Sequence, residues 1–378
     1  MRIPVRTLPQ ICLLSILLSL PSTARCAELK VSTLGVAPHK VASYLHSVIE
    51  ANRTIYSQYL VDRLKETVKL NATENWEEAH TLPLPAQFLA MSADRVRSQN
   101  LGLQYRLISL WPINPENGPE SNIEEKALKK ISKPSETPFA WIDESKGDLT
   151  FNTLYPDRAI TRQCTICHNN HPDSGKKDFK MGDVMGGILV RFPIHSANDG
   201  RNTYFYVPPE TAADYIHAIL EADRAVYAKH VVHRLEKNKV SYASANWWED
   251  NALLLPAQFL LNASDLIQNL RLGFHYRLIS LWPVNPHNGP GNKFERLGLK
   301  ALAQSPVHPY KRTLLSGNRE FFQAMYPDRA TTPSCVKCHN AHPESPRHNF
   351  RLFDVMGAIV VSIPLDREEE LVSFAPEE

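Results

Sequence analysis

The apolar positions of this chain change from helical to strand-like spacing. Across residues 41–70 the apolar side chains recur every three or four positions, which predicts an amphipathic helix. Pro85 can occupy the first turn of a second helix, which we expect to extend to Val96. Residues 103–111 are rich in aromatic and branched side chains and stop at Pro112, so they predict a strand. The pattern therefore begins with helices and continues into a sheet.

Shorter segments complete the pattern. Residues 124–131 predict a short helix, and three segments bounded by turn residues predict strands at 139–142, 148–154 and 184–192. A loop rich in cysteine and histidine lies between the last two strands. Gly186 in the last strand permits a close approach of another backbone. Helices followed by about four consecutive strands are typical of an α+β domain with an antiparallel sheet.

The whole pattern occurs twice. The peptides LPAQFL, YRLISLWP and YPDRA each recur 171 residues later, as in Tyr105 and Tyr276, and no insertion is needed across residues 44–194. Solenoid repeats are only about 20–50 residues long, so these are two whole domains. The predicted organisation is a signal peptide at residues 1–26, a first domain at 28–194, a polar, turn-rich linker at 195–210, a second domain at 211–367 and a tail at 368–378.

The first 26 residues predict a secretory signal peptide. Arg2 and Arg6 give a basic start, residues 11–20 form a short apolar run, and small residues lead to Cys26. The run is short for a membrane-spanning helix, and an uncleaved anchor is the alternative. A lipoprotein is disfavoured because Arg25 precedes Cys26. The predicted location is periplasmic or otherwise exported.

The charge balance of the mature chain is close to neutral. The sequence has 42 Lys and Arg against 40 Asp and Glu, and the signal peptide accounts for three of the arginines. The balance therefore predicts no nucleic-acid partner and gives no strong membrane signal.

Each copy of the repeat contains one C-x-x-C-H pentapeptide, the attachment signature of a c-type haem. The two thiols can form thioethers to one porphyrin, and the histidine is then the proximal ligand of the iron. The predicted sites are Cys164, Cys167 and His168 in the first domain and Cys335, Cys338 and His339 in the second. The other cysteines, Cys12 and Cys26, lie in the predicted signal peptide. A redox disulfide or half of a zinc site has the same spacing, but two copies behind an export signal favour two covalently bound haem c groups.

The second axial ligand of each iron should recur in both domains if they work alike. This condition leaves three pairs, which are His46 with His217, His171 with His342, and Met185 with Met356. His171 follows His168 by three residues, a tether of at most about 10 Å, so we expect it to bond a propionate or the loop backbone. His46 and His217 are candidate distal ligands, or else residues at the boundary of the apolar stripe. Met185 and Met356 are weaker candidates, with a core role as the alternative.

Four arginines are also repeated and are candidates for contacts to haem propionates through bidentate hydrogen bonds. They are Arg106, Arg158, Arg277 and Arg329. A structural or surface salt bridge is the alternative for each of them.

The ordered set of motifs resembles the Tll0287-like family. The peptides LPLPAQF, YRLISLWP, YPDRA, C-x-x-C-H-N-x-H-P and GDVMG follow one another in the first copy, and close variants follow in the second. The resemblance covers nearly the whole mature chain and implies two tandem PAS-like domains, each with flanking helices and one haem c. Relatives include stand-alone exported cytochromes and sensor modules. A cysteine as second axial ligand, found in one family member, has no counterpart here because neither unit contains a third cysteine.

Three functions are compatible with these observations. An exported dihaem cytochrome c that transfers single electrons to an unknown redox partner protein is favoured over an enzyme with its own substrate. A haem-based redox or gas sensor would have to act through a separate partner. A dihaem peroxidase-type enzyme would need two different haems, which the near-equal repeats disfavour.

Overall fold

The computed structural model describes residues 35–133, 137–198, 202–366 and 371 of the chain. The predicted signal peptide lies outside the described residues, as does the predicted tail apart from Leu371. No helix in these described ranges is both long and apolar enough to cross a membrane.

The first unit contains five α-helices and seven strands in its described part. The helices are α1 (Pro38–Ile55), α2 (Arg63–Thr67), α3 (Pro85–Arg97), α4 (Asn122–Ile131) and α5 (Arg162–Asn170). The strands are β1 (Ala72–Thr73), β2 (Leu82–Pro83), β3 (Gln104–Ile108), β4 (Phe139–Ser145), β5 (Asp148–Arg158), β6 (Val184–Asn198) and β7 (Thr203–Tyr206).

The second unit repeats this order, and its described part has no strand equivalent to β7. Its helices are α6 (Pro209–Val226), α7 (Arg234–Lys237), α8 (Pro256–Asn269), α9 (Lys293–Gln304) and α10 (Pro333–Ala341). Its strands are β8 (Ala243–Ser244), β9 (Leu253–Leu254), β10 (His275–Ile279), β11 (Tyr310–Ser316), β12 (Arg319–Arg329) and β13 (Val355–Pro364).

The long first helix is confirmed, but it is not α-helical throughout. A π-helical segment at Tyr56–Asp62 joins α1 to α2, and the equivalent segment at Tyr227–His233 joins α6 to α7. Such segments are rare and frequently lie at functional sites. Here each one leads into the short helix that contacts the C-x-x-C-H peptide of its own unit.

Each unit contains an antiparallel sheet, which confirms the predicted α+β class. The strand order is β3-β6-β5-β4 in the first unit and β10-β13-β12-β11 in the second. The pairing of β5 with β6 is regular up to Asp157 and Gly186, and its register then shifts at Arg158. The second sheet has the same irregularity between Asp328 and Arg329. A bulge of this kind ends the pairing and redirects the chain, here into the C-x-x-C-H helix.

The two units share one apolar core. One face of each sheet packs on the helices α1, α3, α6 and α8, whose buried side chains form a single continuous cluster. The opposite faces pack on α4 and α9 in two smaller clusters. Phe88 of α3 and Phe259 of α8 meet across the boundary, with ring centroids 5.9 Å apart. Because the largest core belongs to both units, neither unit buries its helices alone.

The predicted linker is more ordered than its turn-rich composition suggests. Strand β6 continues through residues 195–198 and pairs with β7 from His195/Tyr206 to Asn198/Thr203. Pro209 then stands in the first turn of α6. Residues 195–198 and 203–206 therefore form two paired antiparallel strands, and the aromatic side chains of Tyr204, Phe205 and Tyr206 are typical of a strand.

Candidate functional site

Both C-x-x-C-H peptides lie on short helices at the end of the sheet, where an irregular loop was predicted. Helix α5 carries Cys164, Cys167 and His168, and it begins directly after the bulge in β5. In the second unit, the hydroxyl of Thr332 accepts a hydrogen bond from the Cys335 amide and so caps α10. Helical geometry places both thiols and the histidine of each motif on neighbouring turns.

The thiols and the imidazoles of the motifs are available to a bound group. All four cysteines are free, with Cys164 and Cys335 half-buried and Cys167 and Cys338 exposed. The ring atoms His168 Nδ1 and His339 Nδ1 are buried and have no hydrogen-bond partner. An orphaned buried nitrogen is costly unless a group absent from the protein satisfies the ring. A haem held by two thioethers and one imidazole fits these residues.

Burial also acts on the ionisation of this site. It lowers the pKa of His168 and of His339, which keeps the imidazoles neutral, as a metal ligand must be. It raises the pKa of the Cys167 thiol and of the Cys338 thiol.

His171 directly follows α5, and its side chain reaches Glu74, which follows β1. Its Nε2 lies 3.1 Å from Oε1 of Glu74, and its Nδ1 accepts a hydrogen bond of 3.2 Å from the Asp173 amide. His342 has the same turn contact with the amide of Glu344, at 3.1 Å. Both histidines thus hold the turn after the helix, the backbone role that the short tether predicts.

Met185 lies beside the first C-x-x-C-H peptide. It is 6 % exposed and packs in one apolar cluster with Ala159, Phe179, Trp111 and Cys164. Met356 occupies the same place in a matching cluster with Cys335. The structure therefore brings this candidate pair to the motif, in surroundings that equally suit a core methionine.

His46 lies on α1, on the helical side of the sheet. Its ring stacks on Tyr155 of β5, with centroids 3.9 Å apart, and its Nε2 is buried without a hydrogen-bond partner. Burial lowers the pKa of His46 to about 3, so the ring is neutral. His217 repeats the stacking on Tyr326 at 4.0 Å, and burial lowers its pKa to about 4. Both imidazoles are in the neutral form that an iron ligand requires, but the ring contact that the structure shows for each is stacking on a tyrosine.

A buried ion pair that the sequence reasoning missed lies between these two regions. Nη2 of Arg53 is 2.7 Å from Oδ1 of Asp157, and the two side chains are 8 % and 16 % exposed. Burial by itself lowers the pKa of Arg53, but the carboxylates of Asp157 and Glu50 outweigh burial, so the pKa is raised overall. The Cys164 thiol also raises this pKa, so the guanidinium lies within electrostatic reach of the motif. Arg224 and Asp328 repeat the pair at 2.5 Å. The constant offset of 171 residues would have revealed both arginines.

The four arginines selected from the sequence have other partners. Arg106 and Arg277 form ion pairs with Glu124 and Glu295 at 2.6 and 2.8 Å, on the face of the sheet that packs on α4 and α9. Arg158 donates to the carbonyl of Gly182, and Arg329 donates to the carbonyl of Pro306. The first two thus match the salt-bridge alternative. Arg53, by contrast, lies within electrostatic reach of the Cys164 thiol.

The order of elements, the two sheets and the two motif helices agree with a comparison against family models. The Tll0287-like family model matches the chain twice, over residues 36–193 and 208–364. The chain belongs to the Tll0287-like family. Each match contains one C-x-x-C-H helix and part or all of one sheet, so this Tll0287-like protein carries the family domain in tandem.

One solved structure in the comparison is described as the crystal structure of the cyanobacterial haem protein Tll0287. It is 17 % identical to this chain over 31 % of this chain and 79 % of that one, with a TM-score of 0.23. No curated protein matches the chain significantly.

Proposed function

We propose that this Tll0287-like protein is an exported dihaem c-type cytochrome that transfers single electrons. The observation that carries the proposal is the repeated arrangement of two free thiols and one imidazole with an unpartnered buried nitrogen, on a short helix at the end of each sheet. Membership of the Tll0287-like family agrees with it. The same proposal includes three further points. Each domain is PAS-like, the protein is exported, and it exchanges electrons with a redox partner protein that is not identified.

The residues of the first site have distinct parts in this proposal. Cys164 and Cys167 attach the haem, and His168 binds the iron. Trp111 and Phe179, which pack with Cys164, would supply an apolar wall beside a haem attached there. When bound, the haem supplies the one-electron chemistry, and the protein controls its potential and its access to solvent.

The distal position has two candidates in each unit. Met185 and Met356 pack in the clusters that contain the attachment cysteines. His46 and His217 are imidazoles that burial keeps neutral, and His46 Nε2 is buried without a hydrogen-bond partner. Axial ligand identity helps to move the potential over about 0.8 V, so the choice decides which partners the protein can reduce.

A redox titration with spectra recorded with and without carbon monoxide tests the proposal. An electron carrier should show two reversible one-electron transitions and two six-coordinate haems that do not bind carbon monoxide. Carbon monoxide binding to either reduced haem would overturn the simple carrier and favour the sensor. Rapid turnover of peroxide would favour the enzyme.

A further inference from the structure

Each unit holds a loop of the other unit with one arginine. Nη1 of Arg234 on α7 donates to the carbonyl of Trp76 at 3.0 Å, and Nη2 donates to the carbonyl of Thr81. The guanidinium also lies over the Trp76 ring, 4.7 Å from its centroid. Arg234 therefore fixes both ends of residues 76–81, which we call the exchange loop of the first unit.

The reciprocal contact is nearly identical. Nη1 of Arg63 on α2 donates to the carbonyl of Trp247 at 3.2 Å, and Nη2 donates to the carbonyl of Ala252. Arg63 lies 4.8 Å from the centroid of the Trp247 ring. Residues 247–252 are thus the exchange loop of the second unit.

The same short helices contact the motifs of their own units. Glu236, two residues after Arg234, accepts a hydrogen bond of 2.8 Å from the hydroxyl of Ser334, which precedes Cys335. In the first unit, Lys65, two residues after Arg63, donates to the side chain of Gln163, which precedes Cys164. Each of these short helices therefore connects the motif of its own unit to the exchange loop of the opposite unit.

The two connections differ at their last contact. Glu74 stands just before the exchange loop of the first unit and reaches His171, three residues after His168, at 3.1 Å. The matching residue of the second unit is Ala245, which has no side chain to reach His342. The backbones at both positions are held alike, because Gln87 and Gln258 each donate to the carbonyl of that residue at 2.8 Å. At this contact the two units therefore differ by one side chain, in addition to the exchange of Lys65 and Gln163 for Glu236 and Ser334 next to the motifs.

We propose that Arg234 is a positioning residue for the first haem site, acting through the exchange loop and Glu74, and that the second haem site lacks this control. This inference rests on the proposed dihaem function. A carboxylate near a haem disfavours uptake of an electron, so Glu74 lowers the potential of the first haem. Arg234, although it belongs to the second unit, also lowers the potential of the first haem, because it keeps Glu74 in place.

The sign of the effect separates this mechanism from direct electrostatics. Removal of the positive charge of Arg234 would by itself lower a nearby potential. Loss of the loop contact would release Glu74 and raise the potential of the first haem. Arg234→Lys keeps the charge but lacks the planar guanidinium fork that spans the two carbonyl groups, so it isolates the effect of the loop.

The test is a redox titration of the full-length dihaem protein at low ionic strength. We expect Glu74→Ala to raise one of the two potentials and leave the other unchanged. Because Glu74 is 61 % exposed, the expected change is about twofold to fivefold in the reduction equilibrium, the range of an exposed ion pair. At 59 mV per decade this is about 18–41 mV. Arg234→Lys should raise the same potential, and the double variant should not add the two effects.

Two variants provide matched controls. Ala245→Glu should install the missing contact and lower the other potential, and Arg63→Lys should leave both potentials unchanged because position 245 has no acid. The inference is overturned if Arg234→Lys leaves the first potential unchanged while Glu74→Ala raises it, or if the two effects add. A wild-type protein without two reversible haem transitions would contradict the proposed function instead.

Discussion

Asn52 donates a hydrogen bond of 2.5 Å to Asp223, and these two residues occupy the same position in the two repeats. Asp223 is 4 % exposed and lies where α1 and α6 pack together. Burial raises the pKa of Asp223 to about 7, although the amide of Asn52 partly offsets this effect. Tyr105 and Tyr276 from the two sheets also lie within its electrostatic reach. A carboxyl group therefore titrates inside the interface between the units.

This carboxyl group should make stability depend on pH. Between the ordinary value of 3.8 and about 7, the folded protein binds a proton that the unfolded chain does not. The contribution of Asp223 to stability is therefore present at low pH and is lost as the pH rises towards 7. We expect Asp223→Asn to be more stable than the wild type at pH 8, by on the order of 2–4 kcal/mol, and similar to it at pH 4. Urea denaturation at several pH values measures the difference.

Asn52→Asp is the matched control for this prediction. It places a second carboxyl group at the same contact and should make the loss of stability with rising pH steeper. A pH dependence of Asp223→Asn equal to that of the wild type would contradict the assignment.

The buried pair of Arg53 and Asp157 should contribute to the first site and not to the second. Arg53→Met leaves a buried carboxylate without its cation, a change that typically costs about 3–5 kcal/mol. We expect lower stability in urea denaturation and a changed spectrum of one haem. Arg224→Met is the matched variant and should alter the other haem. The account of this pair is wrong if either variant changes both haems equally.

Gly186 should tolerate no side chain. A Cβ atom at this position would lie 2.4 Å from the carbonyl oxygen of Ile108, a backbone atom that cannot move without breaking the pairing of β3 with β6. We expect Gly186→Ala to destabilise the protein by about 1–3 kcal/mol. At the next position, Gly187, the nearest atoms belong to the flexible side chains of Leu154 and Ile131, and the second unit carries Ala358 there. Gly187→Ala is therefore the milder control in thermal denaturation.

The distal ligand should be visible in the spin state of the haems. Replacement of His46 and His217 by alanine removes the only imidazole pair on α1 and α6 that repeats with the units, whereas replacement of Met185 and Met356 by leucine preserves the core volume. The double variant that removes the true ligand should convert the haems from low spin to high spin in electron paramagnetic resonance. A low-spin spectrum in both double variants would exclude both pairs.

Local patterns predicted much of this protein, and contacts between the units escaped them. The helix from residue 85, the strand up to Ile108 and the close approach at Gly186 depend on neighbouring residues and on spacing, so the sequence contains their signals. The hydrogen bond from Arg234 to Trp76 joins residues 158 positions apart, so no pattern among neighbouring residues predicts it. Arg53 was overlooked for the same reason, since its partner Asp157 lies on a distant strand.

The motif helices show a second limit. The loop predicted around Cys164 contains polar residues that compete with a helix, and the cap by Thr332 in the second unit is recognised only once the preceding bulge is known. The polar turn residues near position 195 gave no signal of the pairing between residues 195–198 and 203–206.

The central claim is that each unit binds one haem covalently through its C-x-x-C-H peptide. The most direct test is the intact mass of the exported protein under denaturing conditions, after expression in a host that matures c-type cytochromes. The account predicts the polypeptide mass plus two haems, and plus one haem when Cys164 and Cys167, or Cys335 and Cys338, are replaced by alanine. A wild-type mass without attached haem, or haem that is retained after both replacements, would contradict it.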